Sequence, residues 1–423
     1  MLQMVPIMPS DVLERFLKYV TIHTTSKEDE ETIPSTKRQF DLANLLVQEL
    51  KELGIVDATV SDECYVIATL PSNLTPEITK IVPVVCFFAH MDTSPEEAGD
   101  NIKPQNVNNY QGGDIQLPGN LDLVISPKET PALLKFVGSD IITSDGTTLL
   151  GGDDKAGVAA IMAALTKLKA DPKLKHGTIK IVFTPDEEVG RGVDGLDVDS
   201  LMADFGYTID GDEMGVLESE TFNAAGGDIQ ITGFNCHPGY AKGKMINAIR
   251  ILADIIQNFP IDESPETTEK KKGYYHPYES SASVNEAKLK FIIRDFDFEQ
   301  LKQKIRNVEE FTNHIQQKYP SSHINLTIKE SYKNMKYKID EVPEVMMNAE
   351  EAIKRTGIPV IKKAIRGGTD GAHLSYRGLP TPNIFSGAMN FHSKKEFVPV
   401  IALEKSVETI INLVQIYVER ASE

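Results

Sequence analysis

The 423-residue chain alternates apolar runs with helical periods in an order that predicts much of its fold. Behind Ser10, Leu13, Phe16, Leu17 and Val20 recur at helical spacing, which predicts an opening helix capped by that serine. Thr36 and Gln39 have the spacing of a capping box for a second helix, with Gly54 at its C′ position. The run from Ile81 to Ala89 is apolar and rich in β-branched residues, and it is too short for a normal buried helix. It predicts a central strand covered on both faces. Residues 100–135, rich in Asn, Gln, Gly and Pro, predict a long excursion. A small-residue helix is expected from Lys155 to about Leu168, then strands over Thr178–Thr184 and Gly206–Ile209. Strands alternating with helices predict an α/β fold with a mostly parallel sheet.

The pattern changes near residue 220. Strands are expected over 226–232, 275–284, 287–295 and 323–331, with helices over 243–259 and 297–318. That βαββαβ order is the split βαβ pattern of a ferredoxin-like unit. A helix over 347–356, a Gly-rich turn and a helix over 402–420 then resume the first style. The expected organisation is one domain in two parts, 1–218 and 339–423, interrupted by an inserted domain over 219–338.

Composition narrows the partners. A net charge of −18 argues against nucleic acid, whose binding needs a basic surface to displace counterions. Cys64, Cys86 and Cys236 are too few and too scattered for a disulfide framework, which fits a reducing compartment. No stretch approaches the length of a membrane span, and the N-terminal MLQMVPIMPSD lacks the basic and apolar regions of a leader. The Asn-x-Ser/Thr sequons at Asn73 and Asn325 carry no weight without one. The expected location is the cytoplasm.

Several apolar runs end in metal-type residues: His90-Met91-Asp92, Asp153-Asp154 after LLGG, Asp186-Glu187-Glu188, and Asp210. His392 follows in NFHSKKEF. Ligands of open parallel sheets bind beyond the carboxyl ends of the strands, where all four endings are expected. The period of two puts His90 and Asp92 on one side of an extended segment, so Asp92 can bond the ring nitrogen that His90 does not give to a metal. Of Asp153 and Asp154, one can face a metal while the other caps a helix. Of Glu187 and Glu188, one can ligate while the other, held off the metal, serves as general base. Nitrogen and oxygen donors without thiolate suit zinc, cobalt or manganese. Two histidines and three or more carboxylates exceed one tetrahedral site and suit two ions sharing a bridging carboxylate. No Gly-x-Ser-x-Gly elbow, His-Glu-x-x-His or P-loop is present.

The segments FFAHMDTSPE, LLGGDDKAGVAAIM, IVFTPDEEVGRG, YTIDGDEMG, FNAAGGDIQITGFNCHPGYAKGKMINAI, FIIRDFD, IRGGTDGAHLSYRGLPTPNIF and NFHSKKEFVPV resemble the M20 metallopeptidases, and within them the tripeptide aminopeptidases. The resemblance spans nearly the whole chain and implies a di-zinc catalytic domain with an inserted lid. It implies Asp153 as the bridging carboxylate, with His90 and Asp210 completing one metal site and Glu188 and His392 the other. Glu187 would be the general base, and Asp92 would orient His90. His237 would stabilise the oxyanion, arriving from a partner subunit in dimeric relatives, and Asn247, Arg294 and Arg366 would contact substrate. The chain departs from the family pattern at Ser393, where glycine is expected, and at Ala388-Met389.

The activity so implied is release of the N-terminal residue from tripeptides by metal-activated water attack. The cofactors would be two zinc ions, replaceable by cobalt or manganese, and the partners small peptides and, through a lid edge strand, a second copy of the chain. The alternatives are a related dipeptidase, carboxypeptidase or N-acyl amino-acid amidohydrolase, and, in a different class, an inactive binding protein on the same fold.

Overall fold

The computed structural model describes residues 10–422, so the expectation about a leader at the N-terminus lies outside the described residues. The chain divides into two compact units. One comprises the described residues up to Ser219 with Tyr337–Lys363 and Thr369 onward; the other comprises Glu220–Lys336 with Ala364–Gly368.

The eight-stranded sheet runs in the order Thr59–Val60, Val66–Leu70, Ile179–Thr184, Val85–His90, Phe205–Gly211, Asn383–Phe385, Val216–Thr221, Ile361–Ile365. The four strands from Ile179–Thr184 to Asn383–Phe385 are mutually parallel, and antiparallel strands flank them. All six residues of Val85–His90 are buried. The period of two explains how: Phe87, Ala89, Ile181 and Phe183 enter one core, while Cys86, Phe88 and Val182 enter another on the opposite face. The first core is closed by the helices Asp11–Val20, Gly152–Ala170, Pro343–Arg355 and Val400–Ala421, the second partly by Leu374 of Asp370–Tyr376. Within the former 100–135 excursion, Gln105–Val107 pairs with Ile141–Thr143, which also pairs with Phe397–Pro399.

The second unit is a four-stranded antiparallel sheet in the order Tyr274–Ala282, Glu286–Asp295, Asn223–Thr232, His323–Tyr332. The helices Ala248–Ile256 and Phe298–Lys318 join its core through Ile251, Ile255, Leu301, Val308 and Ile315. Burial alternates along Glu286–Asp295, as expected of a sheet covered on one face.

Local signals fared unevenly. Gly54 adopts φ +80°, with Gly54 N–H donating to Lys51 O and Ile55 N–H to Leu50 O, so the second helix ends in a Schellman motif. The first helix starts behind Ser10 as expected, but both caps need correction. The Ser10 side chain makes no capping bond and its buried hydroxyl lacks a partner. Thr36 donates instead to Thr25 O, and the second helix begins only at Gln39, behind Arg38. The central strand begins at Val85 rather than Ile81, which is 60% exposed. LLGG is not a strand: Asp153 lies at the opening of Gly152–Ala170 with extended backbone angles, φ −82° and ψ 106°, just before the regular helix.

Candidate metal centre

Backbone geometry brings the nominated residues of the first unit to the carboxyl edge of the parallel strands. His90 is the last residue of its strand, and Asp210 lies near the end of the next one over. The acidic trio follows Thr184 on the other side, turned by Asp186 in the left-handed region at φ 55°. Asp153 enters from the helix that crosses behind these strands. That helix packs so closely that a Cβ on Gly157 would lie 2.0 Å from Ile209 O and 2.5 Å from Asp154 Oδ1, so only glycine fits there. The Asp153–Asp154 peptide is cis.

The side chains converge. Asp153 Oδ1 is 2.8 Å from His90 Nε2, and Asp153 Oδ2 is 3.5 Å from His392 Nε2. Asp210 Oδ1 stands 3.6 Å from His90 Nε2, and Glu188 Oε2 2.7 Å from His392 Nε2. One carboxylate is thus shared between two histidines, each of which has a second carboxylate. Two overlapping groups have metal-compatible spacing, His90 with Asp153 and Glu188, and His90 with Asp154 and Asp210. Between the neighbouring aspartates, Asp153 is the better donor. Asp154 already accepts N–H bonds at both oxygens, from Gly157 at 3.1 Å and His90 at 3.3 Å.

Asp92 does more than orient His90. The nearest acceptor to His90 Nδ1 is the Asp92 carbonyl at 3.1 Å, with the carboxylate at 3.4 Å. The carboxylate itself accepts the Glu187 and Glu188 N–H groups at 3.0 and 3.2 Å, so it fixes the backbone that carries both glutamates. Asp186 faces away, accepting bonds from Ser35, Gln39 and Arg191. The trio therefore splits into one buried anchor and two residues turned to the site.

The electrostatics ask for a cation. Burial raises Glu187 well above the usual carboxylate range, with Asp370 and Glu188 adding repulsion against the pull of His90. Burial and Asp153 push Glu188 up to about 7, and burial with Asp154 and Asp153 raises Asp210 strongly. Burial disfavours a charged His392, yet Asp153 and Glu188 lift it to about 11. Glu188 Oε1 is buried without a hydrogen-bond partner. Neighbouring carboxylates that cannot all ionise, an orphaned buried oxygen and a nitrogen–oxygen donor set fit divalent metal.

Two buried acids escaped the sequence reading. Asp370 Oδ2 accepts the Thr184 hydroxyl at 2.8 Å, and burial brings Asp370 up to about 7. Glu396 accepts three backbone N–H groups of residues 150–153. Glu396 looks like a solvated member of a Lys-Lys-Glu run; the apolar Phe397-Val398 beside it was the available signal.

In the second unit each of the four nominated residues has a contact within its own unit. Asn247 caps its helix by accepting the Ile249 N–H at 3.0 Å. Arg294 donates to Ala225 O and Ile293 O and lies over Tyr332. Arg366 donates to Lys270 O and Lys272 O and lies over Phe222 and Tyr274. The exposed His237 accepts the Gly239 N–H at Nδ1 beside Tyr240.

Comparison with known proteins matches residues 143–416 to "Peptidase family M20/M25/M40". A relative from Desulfitobacterium hafniense (strain Y51), named Peptidase T, is 49% identical over 98% of this chain and 100% of its own length. Among solved structures, aminopeptidase PepT from Bacillus cereus superposes with a TM-score of 0.73 at 24% identity, covering 97% of this chain and 98% of that one. A Bacillus subtilis protein described as a dinuclear metal binding peptidase superposes with a TM-score of 0.64 at 14% identity, over 96% of this chain and 98% of that one. At these identities the two structures speak for the fold alone.

Proposed function

The chain belongs to peptidase family M20/M25/M40, and we propose that within it this protein is a two-metal aminopeptidase releasing the N-terminal residue from tripeptides. The observation that carries the reading is the Asp153 carboxylate, with one oxygen toward His90 and the other toward His392. His90, Asp153 and Asp210 would hold one ion, and Asp153, Glu188 and His392 the other. Zinc fits this donor set, as do cobalt and manganese. When bound, the ions supply Lewis-acid polarisation of the scissile carbonyl and a water of lowered pKa.

The chain's own residues do the rest. Glu187 takes the proton from the attacking water and delivers it to the departing amine. Asp92 keeps Glu187 and Glu188 in register through its two amide contacts. His237, an exposed residue of the second unit, would act as a donor toward substrate. Asn247, Arg294 and Arg366 contribute through the shape of the unit they brace. Three free, scattered cysteines suit a reducing compartment, and the setting would be the cytoplasm. Among the described residues no helix is long and apolar enough to cross a membrane.

The test is a panel of di-, tri- and tetrapeptides with free N-termini, set against acyl amino acids, with metal quantified in each sample. Tripeptides should be cleaved fastest, releasing the N-terminal residue from protein holding two ions per chain. Faster cleavage of dipeptides or acyl amino acids would overturn the substrate class. Absence of both metal and hydrolysis would return the chain to a binding role.

A further inference from the structure

Glu396 is a 1% exposed carboxylate far in sequence from the residues it touches. Its Oε2 accepts the Leu150 and Gly151 N–H groups, both at 2.8 Å, and its Oε1 accepts the Asp153 N–H at 2.9 Å. Its own backbone belongs to the loop that carries His392. That loop is pinched shut by reciprocal Met389–Phe397 hydrogen bonds of 3.0 Å, and both Asn390 and His392 sit in the left-handed region. One side chain therefore fastens the segment bearing Asp153 to the loop bearing His392. The fit has little slack: a Cβ on Gly152 would meet Val398 Cγ2 at 2.7 Å, Glu396 Oε1 at 3.0 Å and Ala388 Cβ at 3.1 Å.

We propose that Glu396 is a positioning residue for the metal centre, setting the separation between Asp153 and His392 by gathering the Leu150–Asp153 backbone. The inference rests on the reading of Asp153 and His392 as metal donors. A carboxylate suits the task because both of its oxygens accept, and three convergent N–H donors favour an anion. Outer partners of this kind typically alter metal affinity by about 10–100-fold when replaced.

The experiment strips the full-length protein with chelator and titrates zinc back against a chromophoric competitor. Circular dichroism and melting of the metal-free state are followed alongside. Glu396→Gln keeps the volume but turns one acceptor into a donor facing N–H groups. It should bind zinc about 10–100-fold more weakly while the metal-free spectrum is retained. Gly152→Ala presses on the same junction without touching the carboxylate's chemistry and should also weaken zinc binding; it decides the matter if Glu396→Gln fails to fold. Glu218→Gln is the control, a buried acid that accepts from Asn383 at 3.0 Å and should load like wild type. Wild-type loading in both Glu396→Gln and Gly152→Ala would overturn the inference alone, as would an equal loss in Glu218→Gln. Wild-type protein that takes up no zinc would sink the metal reading itself.

Discussion

The two units use their nominated polar residues in opposite ways. In the first, His90, Asp153, Glu188, Asp210 and His392 point at one another, and the groups bonded to the backbone, Asp92 and Glu396, hold them there. In the second, Asn247, Arg294 and Arg366 satisfy backbone groups of their own unit, and His237 alone presents an exposed ring. The contrast separates polar side chains that face one another from polar side chains that are satisfied by backbone. A buried carboxylate facing other carboxylates costs stability unless a cation joins it, whereas an arginine donating to carbonyls stabilises on its own.

The sharpest way to break this contrast is Glu187→Gln. Turnover on a tripeptide should fall by roughly 10²–10⁴-fold, the usual worth of a general base, with zinc content unchanged. Near-normal turnover would remove Glu187 from the chemistry. Asp92→Asn, which leaves one acceptor for two N–H donors, should lower kcat about 10–100-fold, without a matching rise in KM. In the second unit, His237→Ala should lower kcat while leaving the melting temperature unmoved; a melting shift with unchanged kcat would reassign it to structure.

Removing the metal by chelation should expose a pH dependence confined to the first unit. Burial holds Glu188, Asp370 and Glu396 at about 7 in the metal-free fold, above their unfolded values. The folded state then binds more protons than the unfolded chain, so stability declines as pH rises from about 5 to 7. Metal-free protein should melt several degrees lower at pH 7 than at pH 5, and zinc should remove most of the difference. A flat profile would deny that burial raises these acids in the metal-free fold. The smallest effect belongs to Asn247→Ala, a lost helix cap of about 1 kcal/mol that should lower the melting temperature with little change in kcat.

Legibility in the sequence followed the length scale of each cause. The central strand, the Schellman turn at Gly54 and the alternating strands of the second unit are set by neighbours along the chain, and periodicity captured them. Ser10 and Thr36 have the right residue types for caps, but tertiary contacts redirect Thr36 to Thr25, and the second helix starts later. Asp153 was legible as a candidate at the opening of a helix, while the absence of a strand before it was not, because LLGG has the hydrophobicity of one. Glu396 and Asp370 were hard to see for a deeper reason: their partners lie on distant segments, and apart from the apolar Phe397-Val398 after Glu396 nothing in the local sequence marks either acid as buried.

The dispersal of the donors along the chain bears on how the protein is made. His90, Asp153, Glu188 and Asp210 are all synthesised before the second unit begins, and His392 only after that unit is complete. A nascent chain holding the first four carries crowded acids with only one of the two histidines. It has neither the His392 loop nor the Glu396 clamp that gathers Asp153. The donor set is therefore complete only at the end of synthesis, and a truncated product lacking the last segment lacks both His392 and the Glu396 contacts that gather Asp153.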